Sequence, residues 1–392
     1  MRVGIAGGGP AGMMLGLLLA RAGLEVAVHE KHGDFLRDFR GDTLHPSTLE
    51  VMHELGLLER LLELPHQKVP RFSVRMGNRD VTIADLSRLP VHCGFLALMP
   101  QWDFLNFLAA EAKRYPGFSL YMNSEITDAA QLKADLVIAA DGRHSTLRAA
   151  ARLPSQEFGA PMDVLWFRLS HRASDPSETQ AVFGPGHLMV MLNRGDYWQC
   201  AYVINKGAAD EVRRHGLPWF RESIVKIQSW LADRVAEVDD WEKVKLLTVR
   251  VDRLQRWWNP GLLCIGDAAH AMSPIGGVGI NLAIQDAVAA ANILAGPLLQ
   301  GKMSLEHLAA VQLRRDWPTR MTQRFQLMIQ KQLIARALSA EADFAPPMFV
   351  RLLGALPVLS RVPARIIGLG FRPEHVRTSE AVPGRARPGT TG

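Results

Sequence analysis

Cysteine is nearly absent: Cys93, Cys200 and Cys264 are the only three in 392 residues. They are scattered and lack metal-ligand spacing, which argues against a disulfide framework or a cysteine metal site, and no metal is expected. They read instead as buried small apolar residues in a reducing, cytoplasmic setting. Aromatic residues make up only 7%, and no basic run is interleaved with them, so nucleic acid is not an expected partner. Charge of one sign is in modest excess, 45 Lys and Arg against 39 Asp and Glu. That excess reads as solvated surface with a secondary attraction for anions. Residue 2 already opens a strand, which leaves no room for a signal peptide before it. In the C-terminal stretch 344–371, Pro346, Pro347, Pro357 and Pro363 interrupt every apolar run before the ~20 residues needed to span a bilayer. Short helices packed against the rest of the chain are expected there, with peripheral membrane contact as the alternative. No internal repeat is found, and oligomeric state is not readable.

What the chain does have is glycine in two widely separated clusters. The first is Gly7-Gly8-Gly9-Pro10-Ala11-Gly12. The apolar run 2–6 reads as a buried parallel strand, and residues 11–22 have helical spacing that stops at Gly23. Gly7 allows a sharp turn, Gly9 lets backbone N–H groups approach a pyrophosphate, and Gly12 lets helix pack on strand. The helix N-terminus adds partial positive charge. A second strand, 25–29, ends at Glu30, near the spacing expected of the acid that takes ribose hydroxyls.

The second cluster, Gly266-Asp267 running on through Pro274, Gly276, Gly277 and Gly279 to Asn281, follows a strand over 261–265. A carboxylate at Asp267 suits the hydroxyls of a ribityl chain, which FAD has and NAD lacks. A helix expected over 280–294 would turn its first N–H groups toward the electron-rich edge of a flavin. Asp141-Gly142 lies between the clusters. Together the three segments point to FAD.

The chain resembles the class A FAD-dependent monooxygenases, flavoprotein aromatic hydroxylases of the para-hydroxybenzoate hydroxylase type, over roughly residues 1–330. The resemblance implies FAD contacts at Gly7, Gly9, Pro10, Ala11, Gly12, Glu30, Lys31, Arg40, Gln101, Asp141, Gly142, Gly266, Asp267, Pro274, Gly277, Gly279, Ile280 and Asn281. Pro274 would lie beside the ring. Arg37, Arg40, Asp42 and His45 would lie near the flavin edge; a surface salt-bridge cluster is the alternative. The chemistry implied is the cofactor's: NADPH or NADH reduces FAD, and O2 adds to give a C4a-hydroperoxide that hydroxylates an aromatic, phenolic or polycyclic small molecule. No catalytic side chain is assigned. His270 reads as a brace for its loop, not as a base.

The implied fold is α/β: a Rossmann-like FAD-binding domain (1–152 and 259–340), an inserted antiparallel-sheet substrate domain (153–258), C-terminal helices (341–377) and a flexible tail (378–392). Residues 70–100 are a candidate contribution to the substrate pocket. Strands are expected at 163–170, 180–183, 187–192, 197–204 and 245–254, and a helix at 217–235. A hairpin connection is expected at Asn193-Arg194-Gly195-Asp196. Trp166, Arg168, Met189 and Trp198 are candidates for the pocket wall, with core packing as the alternative for each. The connection 127–133 is short for the family. Two further readings stay open. One is another flavoenzyme of the same fold, a prenyl-chain reductase or a halogenase, although the halogenase Trp-x-Trp-x-Ile-Pro signature is absent. The other is a non-catalytic flavin-binding or electron-carrier protein.

Overall fold

The strand Arg2–Ala6 runs parallel to Glu25–His29 on one side and Leu136–Ala139 on the other, in the middle of a six-stranded sheet. Its inner residues are buried on both faces, the pattern of a parallel sheet covered by helices. The computed structural model describes residues 1–36, 43–76, 79–176, 179–184, 186–340, 348 and 360–381. Phe118–Tyr121 closes one edge of this sheet, and the antiparallel pair Trp258–Asn259 and Leu262–Cys264 closes the other. Helices Pro10–Arg21 and Gly279–Leu299 pack on it, both apolar almost all round because both are buried. Gly279–Leu299, with the turn from Ile275 before it, is long and apolar enough to cross a membrane, yet 72% of its apolar window is buried inside the protein. It is a core helix.

A second sheet of seven strands is built around Met162–Ser170, Tyr197–Asn205, His187–Asn193 and Gln180–Gly184, antiparallel throughout. Arg71–Met76 and Arg79–Asp85 extend it, the former pairing in parallel with Gln180–Gly184. A small sheet of Thr43–Leu44, Leu96–Leu98 and Gln67–Val69 stands beside the second glycine cluster.

Several expected elements differ. The helix placed at 217–235 is Ala209–Ile227, broken at Gly216 (φ +86°) and followed by short 3-10 turns. The single strand placed at 245–254 is two: Lys245–Leu247 joins the large sheet, while Asp252–Leu254 pairs with Ser155–Glu157. The helix after the second cluster runs on to Leu299 through Pro297.

The end of the segment expected as C-terminal helices, 373–377, is irregular and docked, and so is the start of the expected flexible tail, 378–381. Glu374 holds Arg314, the backbone of His375 and Arg377 bonds Asn292, and Glu54 takes the Val376 N–H at 2.7 Å. Arg21 reaches the Thr378 carbonyl at 2.8 Å, and the Ala381 N–H returns to the Arg21 carbonyl at 2.9 Å. Polar composition suggested disorder, but these polar groups find helix partners. Of the C-terminal helices, Arg361–Leu369 is described; it packs Gly368 against Leu86, Leu89 and Pro46.

Candidate functional site

The first glycine cluster is held by crowding on one side and opens on the other. At Gly7 (φ +105°) a Cβ would drive into the Ala140 carbonyl, and at Gly12 into the carbonyl of Gly7, so both glycines are sterically required. At Gly9 nothing lies within 4 Å of the Cβ position. The helix beginning at Pro10 has no side-chain cap, which leaves its first N–H groups and its positive dipole end facing that open space. Glu30 accepts the Gly8 N–H at 2.9 Å and the His32 N–H at 3.1 Å, which aims its carboxylate across the turn. Ala11 is buried and Lys31 is exposed beside Glu30.

Asp141 spends one oxygen on the Leu147 N–H at 3.2 Å and the Thr146 hydroxyl at 3.3 Å. Its other oxygen is buried without a partner among the described residues. Gly142 (φ +85°) also borders open space. Arg143 brings Nε to 3.4 Å from the Asp267 carboxylate, so the Asp-Gly and Gly-Asp segments meet. Arg148, which sequence reasoning passed over, ties them together. It donates to the carbonyls of Arg143 (2.6 Å) and Ala268 (3.3 Å) and pairs with the fully buried Asp252 at 3.3 Å.

Behind Gly266 lies a buried ionic network. Asp286 accepts the Gly266 N–H at 3.0 Å, His270 Nε2 at 2.6 Å and Arg315 Nε at 2.9 Å. Burial pushes the Asp286 carboxyl up, but His270 and Arg315 outweigh it and hold it below the usual range. His270 is thus committed to bracing the loop.

Three glutamines of the helix Leu305–Ile329 and the π-turn after it hold the segment 271–275 along its length. Gln323 donates to the carbonyls of Asp252 and Ala271. Gln326 donates to those of Ser273 (3.0 Å) and Ile275 (2.9 Å), and Gln330 donates to the Ser273 hydroxyl at 2.8 Å. Pro274 is thereby presented half-buried on a rigid strand of backbone. Gly276 and Gly277 follow with positive φ, and the Thr43 hydroxyl donates to the Gly277 carbonyl at 3.0 Å. Asn281 is saturated by the protein. Its amide oxygen takes the His45 N–H (2.8 Å) and the Thr48 hydroxyl (2.7 Å), and its nitrogen reaches the Thr43 carbonyl (3.1 Å). Only its backbone, with that of Gly279 and Ile280, is left to face a ligand. The helix Gly279–Leu299 again lacks a side-chain cap, and Gly279 borders open space.

His45, Asn281 and the helix carrying Ile367 form one contact: His45 Nδ1 sits 2.6 Å from the Ile367 carbonyl. Gln101 opens the helix Gln101–Ala112, half-buried. Arg37, Arg40 and Asp42 lie outside the described residues.

Strand alternation divides the four pocket candidates. Trp166, like Val190, Leu247 and Ile275, is half-buried against the apolar cluster on one face of the seven-stranded sheet, the face that also takes Ile275 of the second glycine cluster. Arg168 shares its parity but is exposed, its guanidinium 4.9 Å from the Tyr197 ring centroid. Met189 and Trp198 do not belong to this wall. Both are fully buried on the opposite face with Phe167 and Phe220, under the helix Ala209–Ile227, and Trp198 donates to Asp175 at 2.9 Å. They are core residues.

The family model described as "FAD binding domain" matches residues 1–324. The chain belongs to that FAD-binding family, and within it to the class A flavoprotein monooxygenases, which are oxidoreductases. It is 30% identical over 384 residues to 6-methylpretetramide 4-monooxygenase of Streptomyces rimosus, covering 92% of this chain and 91% of the relative. It is 25% identical over 358 residues to 6-hydroxynicotinate 3-monooxygenase of Bordetella bronchiseptica, covering 80% and 87%. In fold it is similar to PqsL of Pseudomonas aeruginosa, with TM-score 0.71 at 20% identity over 86% of this chain and 98% of that one. It is also similar to 2-methyl-3-hydroxypyridine-5-carboxylic acid oxygenase, with TM-score 0.70 at 22% identity over 90% and 95%.

The residues of this monooxygenase fit FAD. Two uncapped helix N-termini, three glycines bordering open space and a buried Asp141 oxygen without a partner among the described residues are features that an anionic, hydroxyl-rich dinucleotide requires.

Proposed function

We propose that this monooxygenase hydroxylates an aromatic small molecule, phenolic or polycyclic, using NADPH or NADH as reductant and O2 as oxidant. The observation that carries the reading is the shared apolar face of Trp166, Val190, Leu247 and Ile275, the last of them next to Pro274 in its loop. The names of the relatives support it, since they act on 6-methylpretetramide, 6-hydroxynicotinate and 3-amino-4-hydroxybenzoate.

In this reading the N–H groups at Gly9 to Gly12 bind the pyrophosphate, Glu30 the ribose hydroxyls and Asp267 the ribityl hydroxyls. Reduced FAD supplies the activation of oxygen. The N-terminus of Gly279–Leu299 holds negative charge at the ring edge, and the glutamine ladder keeps that edge in register with the sheet. The apolar wall excludes water and orients the substrate ring. Residues 1–152 and 259–340 are assigned to the FAD-binding domain and 153–258 to the substrate domain. Arg71–Met76 and Arg79–Asp85 complete the substrate wall, and the protein acts in the cytoplasm.

The test is turnover with NADPH, then NADH, under isotopically labelled O2 across a panel of phenols and polycyclic aromatics. A product carrying one labelled oxygen atom is expected. Nicotinamide oxidation that yields only hydrogen peroxide with every compound would overturn the reading.

A further inference from the structure

The helix Leu305–Ile329 is bound to the protein by one face, through Gln323, Gln326 and Arg315, and turns the other to solvent. On that outer face Leu313 is 80% exposed, Trp317 51% and Met328 41%, among the largest exposed apolar residues described. Arg320 and Arg324 are exposed between them. At 100° per residue, positions 313, 317, 320, 324 and 328 fall in one stripe, about 22 Å long at 1.5 Å per residue. Pro318 is on the buried side and leaves the stripe unbroken.

The two outer pairs of the stripe are related by a point between Arg320 and Met321, with Arg320 itself beside that point. We infer that it is a homodimer contact, in which the helix packs antiparallel against the same helix of a second copy, with Leu313 opposite Met328 and Trp317 opposite Arg324. An isologous contact requires residues to find complements at mirrored positions, and this stripe supplies them for its two outer pairs, 313 with 328 and 317 with 324. Leucine meets methionine, both apolar. A guanidinium meets the face of an indole, a favourable cation–π pair that is repeated twice by the symmetry. Each of the two Arg320 side chains nearest the axis is 2.7 Å from Asp316, a carboxylate it shares with Arg253 at 3.6 Å.

A lipid surface fits less well. A bilayer rewards one continuous apolar face, whereas here the apolar residues sit at the two ends and the charge in the middle. The stripe alone covers only part of the ~800 Å² that a stable interface buries per partner. Phe371, whose ring lies edge-on to Trp317 at 6.3 Å, extends the apolar surface beside the stripe. A reversible, concentration-dependent dimer follows.

Cysteine cross-linking of the FAD-loaded full chain tests the register, because the three native cysteines are buried. Under mild oxidation Leu313→Cys/Met328→Cys is expected to form covalent dimers. Either single variant, and the control Leu246→Cys on an exposed strand, is expected to stay at least tenfold lower. In sedimentation velocity Leu313→Glu is expected to lose the dimer while keeping full flavin content, and Leu313→Glu/Met328→Lys to regain it. The inference is overturned by a wild-type monomer across the micromolar range or by single variants that cross-link as well as the double. It is equally overturned by a dimer indifferent to Leu313→Glu, or by a monomer retained on phosphatidylglycerol vesicles.

Discussion

Replacing His45 should change how stability responds to acid. The imidazole is fully buried where Thr43–Leu44, the Gly276–Gly277 turn and the helix Arg361–Leu369 meet. Burial pushes its pKa down to about 4, against the pull of the Ile367, Gly276 and Gly277 carbonyls. In the unfolded chain the same ring titrates near 6.5. Between these values the unfolded state binds the extra proton and the native state does not, so native stability falls as pH drops from about 6.5 to about 4. At 1.36 kcal/mol per unit, the contribution lost over the window is about 3 kcal/mol. His45→Met removes the titrating ring; it also orphans the Ile367 carbonyl, a cost of ~1–3 kcal/mol that does not vary with pH. Urea unfolding of wild type and variant at several pH values, with FAD in excess, separates the two effects. The variant should start less stable near pH 7 and show a slope between pH 6.5 and 4 shallower by up to ~1.4 kcal/mol per unit. Parallel slopes would refute the reasoning.

Three other outcomes follow from the site and its supports. Gly12→Ala should purify with little flavin, because the new methyl group meets the Gly7 carbonyl and opens the turn; full flavin occupancy would show that the turn is not the pyrophosphate cradle. Asp286→Ala should cost ~3–5 kcal/mol, since Arg315 loses one of its two buried carboxylate partners and keeps only Glu374, while His270 Nε2 and the Gly266 N–H lose their acceptor. The wild-type network should itself weaken only below about pH 4, as the depressed Asp286 carboxyl takes up its proton, and denaturant titration checks both. Trp198→Ala should destabilise by ~3–5 kcal/mol while leaving the preferred substrate unchanged, whereas Trp166→Ala should change that preference at little cost in stability. Product profiling alongside melting curves distinguishes the pair.

The elements legible in the sequence were those whose local geometry demands a residue type. Gly7 and Gly12 can be nothing else, because a Cβ would meet backbone. Asp141-Gly142 and Gly266-Asp267 sit at strand ends that apolar runs announce. The supports behind them were not legible. Gln326 reaches Ser273, Arg148 reaches Asp252 and His45 reaches Ile367 across long sequence separations, and no local pattern encodes such pairings.

The pocket wall shows a different limit. Alternation tells which residues of a strand share a face, but not which face meets the second glycine cluster. That choice is made by the helix Ala209–Ile227, which covers one side. The register then sets Trp166 beside Ala201 and Trp198 beside Leu169, on opposite faces. Residues 378–381, expected to be part of a flexible tail, differ for a related reason: a polar, irregular stretch looks disordered until the helix carrying its partner Arg21 is in place.

The central claim, an FAD-dependent monooxygenase working from a reduced nicotinamide, is tested most directly by anaerobic reduction of the bound flavin. The account expects bleaching of the flavin absorbance by NADPH or NADH, accelerated by at least one phenol or polycyclic aromatic. Flavin that neither nucleotide reduces, with or without any such compound, would contradict it.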